Sequence, residues 1–242
     1  MKIIRYAIAR LAYYKKQTIV YILFSSFFAF LLLISFNLYN LQTTLHKQIQ
    51  NRLAIFSSTS QEEKIPQLDS VSHFYSSAIL VFVLCFAICF FFFFIHILKQ
   101  NRQELMNWRL TGFSQKKLFF FVYTQMFVPI TVACLGLLLW SISFQHLYET
   151  LLQRINLTVL TLFKFPDFSV PSSISGLTIP INQEAFFQID FTSDFLLVDT
   201  FKGIVQTLFT LTFVSLFISI LSFIYFSRRL QKGRFTHHGA TK

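Results

Sequence analysis

Hydrophobic and polar positions in this chain segregate on a long scale rather than alternating residue by residue. Four apolar runs, residues 18–38, 76–98, 118–144 and 204–226, are separated by polar stretches. Each holds about 20 residues or more, and at about 1.5 Å rise per residue such a helix crosses the ~30 Å hydrocarbon core of a bilayer. Backbone N–H and C=O groups find no water there, so a helix, which satisfies them within one segment, is expected for every run.

Shorter patterns fill in the connections. Ile4, Ile8, Leu11 and Ala12 share one face of a helical Lys2–Lys16, with Arg5, Lys15 and Lys16 elsewhere. That is the pattern of a helix lying in the membrane interface. The first outer segment, residues 39–73, begins helically through Leu41, Leu45, Ile49 and Leu53 and turns polar from Ser57 to Pro66. In the second, residues 145–202, Leu147, Leu151, Ile155 and Val159 predict a short amphipathic helix, after which Pro166, Pro171, Gly176 and Pro180 interrupt helical structure. Leu177–Ile181 and Phe187–Phe191 alternate with period two, as a small strand pair would. The expected fold is an all-α integral membrane protein forming a single four-span domain over residues 1–242. It has four transmembrane helices, an N-terminal interfacial amphipathic helix, and a small mixed α/β extracytoplasmic segment between the third and fourth spans.

Charge sets an orientation. The formal net charge of +11 would point to nucleic acid in a soluble chain, but its distribution favours topology. Fifteen of the 21 basic residues fall in the N-terminal segment, the 99–117 loop and the C-terminal tail, beside one acid, Glu104. The two outer segments hold the other nine acids. Basic residues flanking spans favour the cytoplasmic side, so both termini and the 99–117 loop are expected inside. The first span is too long for a signal peptide, and Phe36-Asn37-Leu38-Tyr39 offers no small-residue cleavage site, so it reads as a retained anchor.

Catalytic chemistry is hard to place. The sequence lacks GxxxxGK[ST], HExxH, GxSxG and CxxC patterns. Cys85, Cys89 and Cys134 lie inside spans as small apolar residues, and His46, His73, His96, His146, His237 and His238 are scattered. The strongest polar groups within the spans are Asn37, Gln125 and Gln206, which argues against a proton- or ion-driven transporter acting alone. No cofactor or metal is expected in this chain, and it is not expected to be an enzyme. Ser25, Ser26, Ala29 and Gly136 are candidates for close helix approach, Pro129 for a kink, and Phe90–Phe94 for lipid-facing bulk. Asn156-Leu157-Thr158 fits a glycosylation sequon, a tripeptide common by chance.

The candidate site is the elbow at residues 99–117. The second span is expected to continue to about Leu110, Gly112 to end that helix in a left-handed conformation, and Ser114 to cap the next one with its side chain. Leu105, Trp108, Leu110 and Phe113 would form an exposed apolar ridge for docking, with Arg102, Arg109 and Lys116 as its polar rim.

Glu104, Arg109, Gly112, Ser114 and Lys116-Lys117 reproduce an E-x-x-x-x-R-x-x-G pattern followed by a cationic entry into a membrane helix. In this the chain resembles the FtsX-like (MacB-type) permeases of ABC transporters. Ala9-Arg10-Leu11 through Lys15-Lys16-Gln17-Thr18 is similar to that family's basic N-terminal helix running into the first span. The resemblance implies a multi-pass permease of the bacterial cell membrane, paired with a second copy or sister permease. It also implies a cytoplasmic ABC ATPase partner that carries ATP and Mg. The ATPase would dock on Arg102, Glu104, Leu105, Trp108, Arg109, Gly112, Phe113, Ser114 and Lys116. Export or extraction of an amphipathic peptide, antimicrobial or lipid-linked substrate, or mechanotransmission, is the implied activity. A possible extracytoplasmic peptide or protein partner and membrane lipids complete the expected contacts, with no nucleic acid. The first outer segment departs from the family, being short where many relatives carry a large domain. The alternative is a non-transporting membrane sensor, immunity or scaffold protein.

Overall fold

A computed structural model describes residues 2–56, 66–162, 169–171, 178–180 and 193–236. In chain order it contains α1 (Lys2–Tyr13), α2 (Lys15–Phe56), α3 (Pro66–Gln100), α4 (Arg102–Leu110), α5 (Gln115–Ser143) and α6 (Gln145–Leu162). There follow β1 (Ser169–Pro171), β2 (Thr178–Pro180) and α7 (Ser193–Thr236). Four stretches are long and apolar enough to cross a membrane: Lys15–Thr44, Ser70–Gln100, Gln115–Ser143 and Thr200–Ser227. The chain is therefore a multi-pass, essentially all-α membrane protein. It forms two compact units. One comprises Met1–Leu32, Ile79–Leu139 and Ile204–Lys242, and the other Leu33–Ala78 and Trp140–Gly203.

In the first unit, α7 carries its large side chains outside. On α7, Val205, Phe209, Phe213 and Phe217 recur every fourth residue and are 49–72% exposed, whereas Leu211, Ser215, Ser219 and Ser222 are buried. A soluble helix would do the reverse. In lipid the tails are as apolar as leucine, so small residues go where helices meet and bulk goes outward. Hydroxyls within the spans return their donors to the preceding turn: Thr124, Thr131 and Thr210 each bond the carbonyl four residues back, at 2.7–3.0 Å.

Aromatic side chains join α2 to α3 in this unit. Phe93 stacks on Tyr21 and Phe24 with centroids 5.1 and 6.0 Å away, and Phe86 packs on Phe24 and Phe28 at 5.8 and 5.7 Å. Phe90 and Phe94 are fully buried while Phe92 is 66% exposed. The expectation that Phe90–Phe94 is lipid-facing bulk therefore holds for one side only: a five-residue run wraps more than a full helical turn and must face both ways. Ser25 and Ala29 are fully buried, as a close approach requires, but Gly136 is exposed and a Cβ there would meet nothing within 4 Å.

The second unit is built around buried amides. Asn37 on α2 donates through Nδ2 to the Tyr148 hydroxyl at 2.5 Å, and Gln42 Nε2 and the Tyr75 hydroxyl both donate to Asn156 Oδ1, at 2.9 and 3.2 Å. Burial pushes the Tyr148 phenol, which lies outside the spans, well above its ordinary value; the Asn37 amide offsets part of this, so the network stays uncharged. Asn156 is only 6% exposed and committed to two donors, which removes it as a glycosylation acceptor. The inward stripe of α6 is Tyr148, Leu152, Asn156 and Val159, one position on from the expected Leu147 and Leu151; Leu147 is 55% exposed. The close approach sought at Gly136 is instead at Gly203, where an added Cβ would run into the Asn37 side chain.

Between α6 and α7, β1 and β2 pair antiparallel with Val170 opposite Ile179. Thr178–Pro180 lies within the expected strand Leu177–Ile181; its partner is Ser169–Pro171. The expected partner Phe187–Phe191, like residues 57–65 and the His237-His238 tail, lies outside the described residues. A three-residue ladder does not support the expected α/β segment.

Replacing Gly203 by Ala should lower stability by about 1–3 kcal/mol, because the new methyl displaces the Asn37 amide. Gly136→Ala should be neutral or stabilising by up to about 1 kcal/mol. Thermal unfolding of the two variants in the same detergent separates them.

Candidate functional site

The elbow begins where α3 ends. Asn101 N–H bonds the Ile97 carbonyl at 3.0 Å and Leu105 N–H bonds the Asn101 carbonyl at 2.9 Å, so the backbone ladder passes almost unbroken into α4. Gly112 has φ +87°, and Phe113 N–H reaches back to the Trp108 carbonyl at 3.1 Å. This six-to-one closure is the glycine-dependent helix stop that the sequence predicts. The Thr111 hydroxyl takes the same Trp108 carbonyl at 2.9 Å. Ser114 starts α5 through its carbonyl, which accepts from Lys117 and Leu118 N–H at 3.0 and 3.2 Å. The expected capping bond from its side chain is absent among the described residues.

The apolar side chains of the elbow turn inward. Leu105 is 5% exposed. Trp108 is half-buried, its ring 4.6 Å from Phe121 on α5, 5.2 Å from Tyr6 on α1 and 5.5 Å from Phe113. The expected exposed ridge of Leu105, Trp108 and Phe113 is thus corrected: an indole next to two further aromatic rings gains more from packing against them than from facing water. Phe113 alone keeps a sizeable free surface, at 39% exposed. Arg102, Gly112, Ser114, Lys116 and Lys117 are exposed as well. Arg109 lies on α4, and its side chain, like that of Leu110, is outside the described residues.

The residue that organises the elbow is Arg10, which the sequence reading treated only as one cation of the N-terminal segment. Its Nη2 donates to Asn101 Oδ1 at 2.5 Å. Its Nη1 lies 2.6 Å from Glu104 Oε2, a close ion pair without hydrogen-bond alignment. The guanidinium also sits 5.4 Å from the Tyr14 ring and 5.8 Å from the Phe121 ring. One side chain from α1 therefore contacts the α3–α4 junction, α4 and α5. A clue was available, since Glu104 is the one acid beside the fifteen basic residues of the N-terminal segment, the 99–117 loop and the C-terminal tail, and must choose one of them. Which one depends on how α1 folds against the bundle. On α1, Ala7 is fully buried and Arg10 largely so, while Ile4 and Ile8 of the expected apolar face are 41% and 49% exposed, as a face meant for the acyl chains would be.

The chain matches no family model, no curated protein and no solved structure. The chemistry of the elbow therefore rests on its own geometry. It has no metal-ligating cluster among the described residues. What it offers is a braced, cationic corner, held by an ion pair and an aromatic cluster, with one exposed phenylalanine at its tip.

Trp108→Ala should destabilise the protein by about 2 kcal/mol, roughly half the cost at a fully buried aromatic position. Arg10→Met should cost about 1 kcal/mol more than Glu104→Gln, since it removes the bond to Asn101 as well as the ion pair. Thermal unfolding of the purified protein followed by circular dichroism, which does not depend on the tryptophans, measures both differences.

Proposed function

We propose that this chain is the membrane-spanning permease subunit of an ABC transporter of the FtsX-like (MacB-type) kind. It pairs with a second copy or a sister permease and works with a separate cytoplasmic ATPase that supplies ATP and Mg. The observation that carries the reading is the brace of the elbow. A corner that passes force must not fold under load, and Arg10, Glu104, Asn101, Trp108 and Phe121 tie α4 to α1, α3 and α5. With both termini cytoplasmic, the exposed corner faces the ATPase.

The docking face in this reading consists of Phe113 as apolar anchor with Arg102, Lys116 and Lys117 around it. Leu105, Trp108 and Glu104 hold the corner's shape. Coupling requires the ATPase to contact this face differently in its two nucleotide states, because a partner that binds both equally shifts nothing. The activity is export or extraction of an amphipathic peptide, antimicrobial or lipid-linked substrate, or mechanotransmission to the segments between the spans. A small mixed α/β outer segment, extending the β1–β2 ladder, belongs to the same reading.

A tagged copy purified in mild detergent from its native host should retain a soluble nucleotide-binding ATPase. The double variant Phe113→Ala, Lys116→Glu should lower that retention about tenfold, the effect of removing a central interface anchor. Trp108→Phe, which keeps the internal packing, should leave it unchanged. Equal retention by the double variant would remove the elbow from the interface, and a wild-type preparation that holds no ATPase would favour a sensor or scaffold. Labelling of Phe113→Cys by an impermeant reagent added outside intact cells would reverse the orientation.

A further inference from the structure

At the level where the span on α2 begins and the span on α3 ends, the first unit contains a half-open cleft of about 40 Å³. Arg10, Gln17, Thr18, Tyr21, Asn101 and Gln125 contribute its polar lining. Gln17 donates to Gln100 and Thr18 to the Leu11 and Tyr14 carbonyls. Among the described residues this leaves Arg10 Nη1, the Tyr21 hydroxyl and Gln125 Nε2 without a hydrogen-bond acceptor, and no Asp or Glu lines the cleft. Gln125 is only 7% exposed, and its Nε2 has no acceptor among the described residues. The Tyr21 hydroxyl, 2% exposed as a residue, lies beside Ser25 without an aligned hydrogen bond to it. A buried amide N–H left unbonded is costly, and such a group in a native fold calls for a partner.

From the Arg10 guanidinium and the buried Gln125 and Tyr21 donors, we infer that the cleft binds a phosphodiester anion, presented by an anionic phospholipid of the leaflet on the N-terminal side. Its volume admits about three water-sized groups at roughly 10–15 Å³ each, room for phosphate oxygens but not for a whole lipid. The acyl chains then stay outside, where Ile19, Val20 and Leu23 are 55–65% exposed one turn further along α2. The exposed Lys15 and Lys16 add positive potential at the head-group level. Glu104 neutralises part of the Arg10 charge from the α4 side, so the attraction is that of a donor cage more than of a bare cation. The assignment does not depend on the transport reading.

Native mass spectrometry of the intact chain in a non-ionic detergent, titrated with dioleoyl phosphatidylglycerol, tests it. Wild type should retain one tightly held phosphatidylglycerol and hold it in preference to phosphatidylcholine. Gln125→Leu removes the unpaired donor while keeping apolar bulk, and should weaken retention about tenfold, the worth of one hydrogen bond to a charged group. Its unfolding temperature should equal or exceed that of wild type, because the buried amide that lacked a partner is gone. If Gln125→Leu does not fold, Tyr21→Phe, which deletes a single hydroxyl, should give a loss of several fold. Equal retention of phosphatidylglycerol by wild type and the variant, or equal retention of both lipids by wild type, would overturn the site. Displacement of the lipid by millimolar inorganic phosphate would overturn its assignment to a lipid.

Discussion

Helices in a bilayer gain little by hiding apolar surface from one another, because the lipid they would leave is as apolar as the neighbour they would join. Association then rests on dense packing and on polar contacts that cannot be satisfied elsewhere. This chain uses both. Tyr21, Phe24 and Phe28 of α2 interlock with Phe86, Phe90 and Phe93 of α3, and the serines of α7 occupy its inward stripe. In the other unit Asn37, Gln42, Tyr75, Tyr148 and Asn156 bond to each other out of water.

The same logic explains Arg10. A guanidinium that is only about a tenth exposed must have its charge met; Glu104 and two aromatic rings meet the charge, and Asn101 accepts from one of its nitrogens. Meeting those needs draws α1, the α3–α4 junction and α5 to one point, so the elbow is braced as a consequence of keeping one cation. Trp108 turns inward for a related reason, since Tyr6 and Phe121 offer it a packed slot. The side chain most suited to a partner's surface is thus spent on holding the corner, and Phe113 is left at its tip. Arg10 and Asn101 also line the proposed phosphate cleft. Lipid contact and elbow geometry therefore share a residue, and a change in one has a direct physical route to the other.

Much of the architecture was legible in the residues. The four spans follow from run length against bilayer thickness, a constraint that acts on each segment alone. The helix stop at Gly112 was equally readable, because a glycine followed by a serine and a new apolar run is local chemistry. Its φ of +87° is what that chemistry demands. The amphipathic stripe of α6 was right at Val159 but read one position early at Leu147 and Leu151, because Leu151 is as apolar as Leu152 and only the neighbouring helices decide which is covered.

What the sequence determined by itself is therefore everything set within a segment: where helices start, where they stop, and that the long ones suit lipid. What only the tertiary structure decided is the choice among chemically equivalent partners. Glu104 had five basic residues in the N-terminal segment to choose from, Asn156 looked like a surface sequon until Gln42 and Tyr75 claimed it, and Gly203 rather than Gly136 admits a neighbouring side chain. Such choices depend on distances between residues up to a hundred or more positions apart, which no periodicity along the chain records.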